Sequence, residues 1–413
     1  MRRVHQLAPD WGDQAEVAVA TRVMDRRMRP TAGALIPILL VVGLFYASVI
    51  GLRIRHYNDN ISSLIDAGQK VVAHEPGVLG RHVVVFRDST GYDGLAYYVV
   101  ADDPFLRHPQ IRDAFRYQRI VYPLLIWAAS LGRRSWRPAA MAGVNVIAVL
   151  AITLIAVSII TASGRGTSPW WAVACAVNPS LIIGVEYDLA EPVVIALCLL
   201  GLLFYIRRQL VATTVALAVA MLTREVAILF LIPLLLAEVG ARRFRRTVVL
   251  ALSVAPYVVW QEILARTFGQ AGAATSRGNL DRPFVGIMAV LQEARRSTLR
   301  AALVHQGSIL GVLVFTIVAL VVAAVWARKR YDVVVGAILV HAVASLFGGT
   351  AIWVAYASAA RVFGGIYPLT IFAFARHRSA AFYALAVGGI LITLFTFIRL
   401  VVINPALPYY VTP

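Results

Sequence analysis

"DSTGYDGLAYYVVADDPF", residues 88–105, lies just after the first long apolar run of a chain built mostly from Ala, Val, Leu and Ile. It gathers four aspartates (Asp88, Asp93, Asp102, Asp103) and three tyrosines (Tyr92, Tyr97, Tyr98). What those carboxylates face depends on which side of a membrane they occupy, and composition makes a membrane the starting point. Of 413 residues, 60% are hydrophobic and 15% charged, with a mean hydropathy of +0.75. Water-soluble domains run near half apolar and a quarter charged, so the chain is expected to be an integral membrane protein. The apolar runs are continuous rather than alternating, which predicts α-helical spans of about 20 residues and disfavours a closed β-barrel.

The formal net charge is +18. No nucleic-acid partner is expected from it, because the basic residues fall in short clusters between apolar runs. These are Arg133–Arg134, Arg207–Arg208, Arg242–Arg246, Arg328–Arg330 and Arg376–Arg378. That is the positive-inside pattern, which sets topology. The tail 1–31 carries Arg22, Arg26, Arg27 and Arg29 and is predicted to be cytoplasmic, followed by a retained first span at 32–52 rather than a cleaved signal peptide. A long polar stretch, 53–117, then forms the first outer loop. The later runs are 118–132, 138–163, 189–206, 210–222, 226–239, 247–265, 301–326, 333–357, 359–375 and 381–403. Counting these eleven runs as spans puts all five Arg clusters inside and leaves the tail 404–413 outside. The segment 169–186 is then left over, and its central Asn178-Pro179 breaks a helix, so it reads as a re-entrant or interfacial element. A second outer loop, 266–300, contains an amphipathic stretch at 284–299. Cys175 and Cys198 lie in apolar segments and read as small core residues.

This threading brings separated charges to one level. Asp93 lies in the first outer loop, and Arg116 and Arg119 of "FRYQRIVYP" enter the second span from outside. Glu186, Asp188 and Glu191 of "EYDLAEP", Arg224 and Glu225 of "LTRE", and Arg361 of "SAARVFGGIYP" stand at outer span ends. Ionisable groups at such depth are costly unless paired or facing water, which makes them functional candidates. The plainer reading is helix-to-helix pairing, with Arg224 on Asp188 or Glu191, and snorkelling of Arg116 or Arg119 to headgroups. His56, His82, His108, His305 and His341 show no ligand spacing. No P-loop, zinc-protease or nucleophile-elbow motif is present. An outward-facing site does not meet cytoplasmic nucleotide sugars, so an activated donor would have to arrive in the membrane, on a polyprenyl phosphate.

A first span, a long outer loop with an aspartate motif and many further spans resemble the GT-C class of membrane glycosyltransferases. More narrowly, "GYDGLAYYVVADDPF", "RYQRIVYPLLIW", "YDLAEP" and "LTRE" in that order resemble a bacterial group of GT-C-like membrane proteins, over roughly residues 32–240. Leu95-Ala96 and Glu186-Tyr187 depart from the group's pattern, the latter where an Arg is expected. The resemblance implies a GT-C-like all-α fold of about eleven transmembrane helices with domain limits 32–403, in the inner membrane of a bacterial cell. It further implies sugar transfer, with inversion, from a polyprenyl-phosphate donor to a cell-envelope glycan, lipid or protein acceptor on the outer face. Asp93 would be the general base. Arg119, Arg224 and Arg361 would bind the donor phosphate, since a planar guanidinium stays charged and grips phosphate oxygens bidentately. Tyr92, Tyr97, Tyr98, Asp188, Glu191 and Glu225 would contact sugar or acceptor or orient the arginines. A divalent ion on Asp93, Asp102 or Asp103 is an option that the residues leave open. A lipid or small-molecule transporter or flippase, and a non-catalytic scaffold with the same fold, are the rival readings.

Overall fold

The computed structural model describes residues 32–74, 77–107, 113–164, 166–275, 279–298, 306–329 and 331–413. The tail 1–31, His108, His305 and Arg330 fall outside them. The continuous apolar runs are helices, the form that satisfies every backbone group within its own segment. Among the described residues, five are long and apolar enough to cross a membrane: Gly33–Arg55, Arg134–Ala162, Phe244–Phe268, Gly307–Lys329 and Ala380–Val402. The pair Tyr356–Val362 and Ile366–His377, bent by 43°, makes a sixth if counted as one span. Glu191–Ile206, Leu210–Thr223 and Val333–Leu346 are apolar but shorter. They pack tightly in the interior: a Cβ on Gly201 would lie 3.1 Å from Leu217 of the neighbouring helix.

One expectation about an individual run is corrected. The run 118–132, expected to cross, forms only Val121–Ala129, nine residues long. At 1.5 Å per residue that is about 14 Å, half an apolar bilayer core. Beyond it, Arg134 and Arg137 both donate to the carboxylate of Asp102. The Arg133–Arg134 cluster therefore sits against the first loop, from which a crossing would have separated it. The segment 169–186, expected as a re-entrant or interfacial element, is helical on both sides of its break, as Trp171–Ala176 and Pro179–Glu186, packed on Ala32–Arg55 and Arg137–Ala162. Asn178 mends the break: its Oδ1 accepts from Leu181 N, and its Nδ2 donates to Cys175 O. Pro179 occupies the first helical turn, where its missing N–H costs nothing.

The first loop is folded into the body of the protein. Its strands Ala67–Gly68 and Val84–Phe86 pair in parallel, and Tyr409–Val411 of the C-terminal tail adds antiparallel to the second. Arg53, in the last turn of the first helix, lies 3.3 Å from Asp66 and 3.5 Å from Glu186. The loop, the end of Pro179–Glu186 and the C-terminal tail thus share one end of the molecule. At the other end Glu238 accepts from Tyr205 and Arg246, and Asp332 accepts from Arg376. The amphipathic stretch 284–299 is realised as Val285–Arg296, which packs on Thr350–Trp353.

Candidate functional site

Tyr92 caps, and Asp93 opens, the short helix Asp93–Val100. A carboxylate at that position is favoured by the unpaired amides of the first turn. The helix is seated deep enough that Gly94 has no alternative: an added Cβ would meet the carbonyl oxygens of Tyr187 at 2.5 Å and Ile65 at 2.6 Å. Asp93 is thereby delivered to a cluster assembled from four other segments. Its Oδ1 accepts from Arg116 at 2.9 Å and its Oδ2 from Arg361 at 3.0 Å. Arg361 also donates to Glu191 Oε1, and Arg224 donates to that same oxygen. Beside them Arg119 grips Glu225 with two bonds, 3.0 and 2.6 Å, and reaches the Tyr97 hydroxyl at 3.4 Å.

Asp113 lies 3.9 Å from Arg116 at the outer edge, so four guanidiniums meet four carboxylates. Burial grades across the cluster. Glu191, Arg224, Arg361 and Arg119 are buried, whereas the side chains of Asp93 and Glu225 are 25% and 38% exposed. Asp93 and Glu225 are therefore partly open to solvent, with buried cations beside them. Burial alone would raise the Asp93 carboxyl, but Arg361, Arg119 and Arg116 outweigh it and hold it well below the ordinary carboxylate range. Glu225 responds in the same way, brought down against burial to about 2, chiefly by Arg119.

Of the tyrosines, Tyr92 and Tyr97 belong to the site. The Tyr92 ring lies under the Arg361 guanidinium, 4.8 Å from it, against Tyr187, and its hydroxyl is 3.3 Å from Ser358 Oγ. Tyr98, one step round the helix from Tyr97, points elsewhere: its hydroxyl accepts from Gly80 N and its ring lies under Arg137. Asp102 is likewise not a site residue, since Arg134 and Arg137 hold it. The divalent-ion option meets no suitable donor set. Asp93 and Asp102 are each bound by two guanidiniums, and among the described residues no group of three or more His, Cys, Asp or Glu is placed to hold a metal. Asp103 does not change that.

Asp188 also stands apart. It adopts a left-handed backbone (φ 47°) and is fully buried near Asn145, with no hydrogen bond of good geometry to either oxygen. Arg224 thus pairs with Glu191, the second of the two partners open to it. Glu186, the departure from the group's pattern, turns to Arg53 and away from the cluster. Sequence reading placed Arg116 among the converging charges, with snorkelling as the plainer alternative for it or Arg119, and kept only Arg119 as a phosphate ligand. Arg116 lies in the short helix Ala114–Tyr117 and Arg119 just beyond its end.

No protein family, curated protein or solved structure matches this chain. The site is therefore read from its own geometry.

Proposed function

We propose that the chain is a GT-C-type polytopic membrane glycosyltransferase that moves a sugar from a polyprenyl-phosphate donor to an acceptor hydroxyl at the outer membrane face. The observation that carries the reading is the partly exposed Asp93, paired to the buried Arg361 and beside the buried cations Arg224 and Arg119. As it stands, Asp93 is too strongly paired to be an effective base, because a useful base has a pKa nearer the working pH. Donor phosphate would change that by competing for Arg361 and so releasing Oδ2. The freed oxygen takes the acceptor's proton as the acceptor oxygen bonds to the anomeric carbon from the opposite face. The bond from that carbon to the phosphate oxygen breaks, and the phosphate leaves with the electron pair, stabilised by Arg361 and Arg224 in a low-dielectric site. Arg224 Nε and Arg361 Nε are buried without hydrogen-bond partners, so the cluster retains capacity for further acceptors.

The finer architecture we propose keeps eleven crossings while exchanging one for another. Removing 118–132 and adding the pair Trp171–Ala176 and Pro179–Glu186 leaves the side of every later segment unchanged. The N-terminus is then cytoplasmic in a bacterial inner membrane, and the site faces outward with the C-terminal strand. This is supported by the Arg207–Arg208, Arg242–Arg246 and Arg376–Arg378 clusters, whose paired members meet at the end opposite Asp93.

The test is sugar transfer by the purified protein in lipid nanodiscs, with labelled polyprenyl-phosphate sugars and Asp93→Asn as comparison. Transfer or donor hydrolysis by the wild type alone supports the reading. Equal turnover by the variant removes Asp93 from the role. Inactivity of both, with labelled lipid crossing vesicles carrying the protein, transfers the site to a flippase.

A further inference from the structure

A second built pocket lies at the end of the molecule opposite Asp93. It encloses about 570 Å³, within the range of small-ligand sites. It forms where the last turns of Glu191–Ile206, Ile228–Gly240 and Ile366–His377 meet the first turn of Val333–Leu346. Its lining is divided by chemistry. Leu202, Ile206, Ala237 and Val333 make an apolar side, while Arg208, Arg243, Arg246 and Arg376 make a cationic one.

The two carboxylates of the pocket are already engaged. Glu238, buried, accepts from the Tyr205 hydroxyl at 2.8 Å and from Arg246 at 3.3 Å. Asp332 caps Val334 N with Oδ1, at 2.8 Å, and holds Arg376 with Oδ2, also at 2.8 Å. These acids orient the arginines without cancelling them, since Arg243, Arg246 and Arg376 alone outnumber the two carboxylates. The C-terminal ends of three helices offset part of the surplus, so the complementary ligand carries one or two negative charges. Arg243 extends furthest into solvent, its side chain 50% exposed and its nearest carboxylate oxygen 4.0 Å away.

We infer that this pocket binds the phosphate headgroup of an anionic phospholipid from the leaflet around the arginine-rich end. Guanidinium forks suit phosphate oxygens, and basic pockets between the cytoplasmic ends of membrane helices recognise such headgroups. The apolar side, placed at the helix ends, gives the first acyl carbons somewhere to lie, which a soluble anion would not need. The site is independent of sugar transfer, so its occupancy does not depend on the function proposed above.

Native mass spectrometry of the purified full chain in detergent tests it, with phosphatidylglycerol, cardiolipin and phosphatidylethanolamine offered at equal concentration. Anionic lipid is expected to bind in preference to phosphatidylethanolamine. The double variant Arg243→Gln/Arg246→Gln is expected to weaken it roughly 30-fold, from the usual worth of two basic residues at an anionic surface. Because Arg246 also supports Glu238, Ala237→Trp provides a second variant that fills the apolar side and leaves every charge in place. It too should lose the lipid while eluting as a monodisperse peak. Equal binding of phosphatidylethanolamine, or undiminished anionic-lipid binding by folded Ala237→Trp, overturns the proposal. So does displacement of the lipid by inorganic phosphate at comparable concentration, which would make this a soluble-anion site.

Discussion

Glu191 holds two guanidiniums on a single carboxylate oxygen, and Glu191→Gln separates pairing from burial. Gln keeps the shape and one acceptor oxygen but removes the charge shared by Arg224 and Arg361. All three side chains are nearly sealed from solvent, Glu191 at 2% and each arginine at 6%. Removing one partner of a buried pair costs about 3–5 kcal/mol. Arg361 keeps Asp93 as a second partner, so the lower part of that range applies. Taking about 2 °C per kcal/mol for a chain of this size, the unfolding midpoint should fall by roughly 6–8 °C. Glu225→Gln is the matched control. It also removes a carboxylate paired to a buried arginine, Arg119, but the Glu225 side chain is 38% exposed, so water can reach the stranded guanidinium and the loss should be the smaller of the two. Both midpoints are read in detergent at one fixed scan rate, from the fraction of monodisperse protein surviving each temperature. Equal losses for the two variants would refute the reasoning, because burial would then not decide the cost.

Gly94→Ala should displace the start of Asp93–Val100, because the new methyl meets two backbone carbonyls that cannot swing aside. Overpacking of this kind costs about 1–3 kcal/mol, and sugar transfer in nanodiscs should fall more steeply than stability as Asp93 moves. Tyr97→Phe should slow transfer by removing the hydroxyl at Arg119, whereas Tyr98→Phe should leave the rate unchanged, since its hydroxyl meets Gly80; the two rates are compared directly. Single cysteines at Arg134 and Asp332 should react with membrane-impermeant maleimide from opposite sides of sealed vesicles. Native Cys175 and Cys198 are buried and need not be removed. Acid should destabilise the cluster end first. The folded-state carboxyls of Asp93 and Glu225 are depressed, so their stabilisation is full above the ordinary carboxylate range near 4 and fades as pH falls through the folded values. Melting between pH 7 and 3 should therefore steepen below about pH 4, and Glu225→Gln should flatten part of that slope.

The membrane character and the residues of the cluster were legible because both rest on local signals. Long uncharged runs report apolar surroundings, and charges at run ends report a boundary. What hydropathy does not distinguish is whether the apolar surroundings are lipid or protein. Val121–Ala129 buries Tyr122, Pro123 and Ile126 in the body of the molecule and leaves Leu125 and Trp127 exposed, so its apolar side chains have both kinds of surroundings. The arginines that follow it looked like a topological marker, yet Arg134 and Arg137 answer Asp102, more than thirty residues earlier. Pairing over that separation leaves no trace in composition. In the same way Asn178-Pro179 reads as a breaker until the two bonds made by Asn178 are seen to hold the halves in line.

The readings of 118–132 and 169–186 are linked. Counting 118–132 as a crossing forces 169–186 out, because the sides must alternate to keep Arg207–Arg208 with the other clusters. The topology proposed above exchanges one for the other and leaves the later assignments unchanged. That is why Arg224, Glu191 and Arg361 could be expected together on either path. Individual partners within the cluster were beyond that argument. Asp188 and Glu191 are three residues apart, and a left-handed turn at Asp188 sends one carboxylate toward Asn145 while the helix start aims the other at two arginines. Backbone handedness at one residue thus decides which acid organises the cations. A substitution that relaxes it, Asp188→Gly, should leave Glu191 in place and the cluster intact. Asp188 then serves the turn rather than the chemistry, and unchanged sugar transfer by Asp188→Gly in nanodiscs is the expected result. A loss comparable with that of Asp93→Asn would return Asp188 to the site.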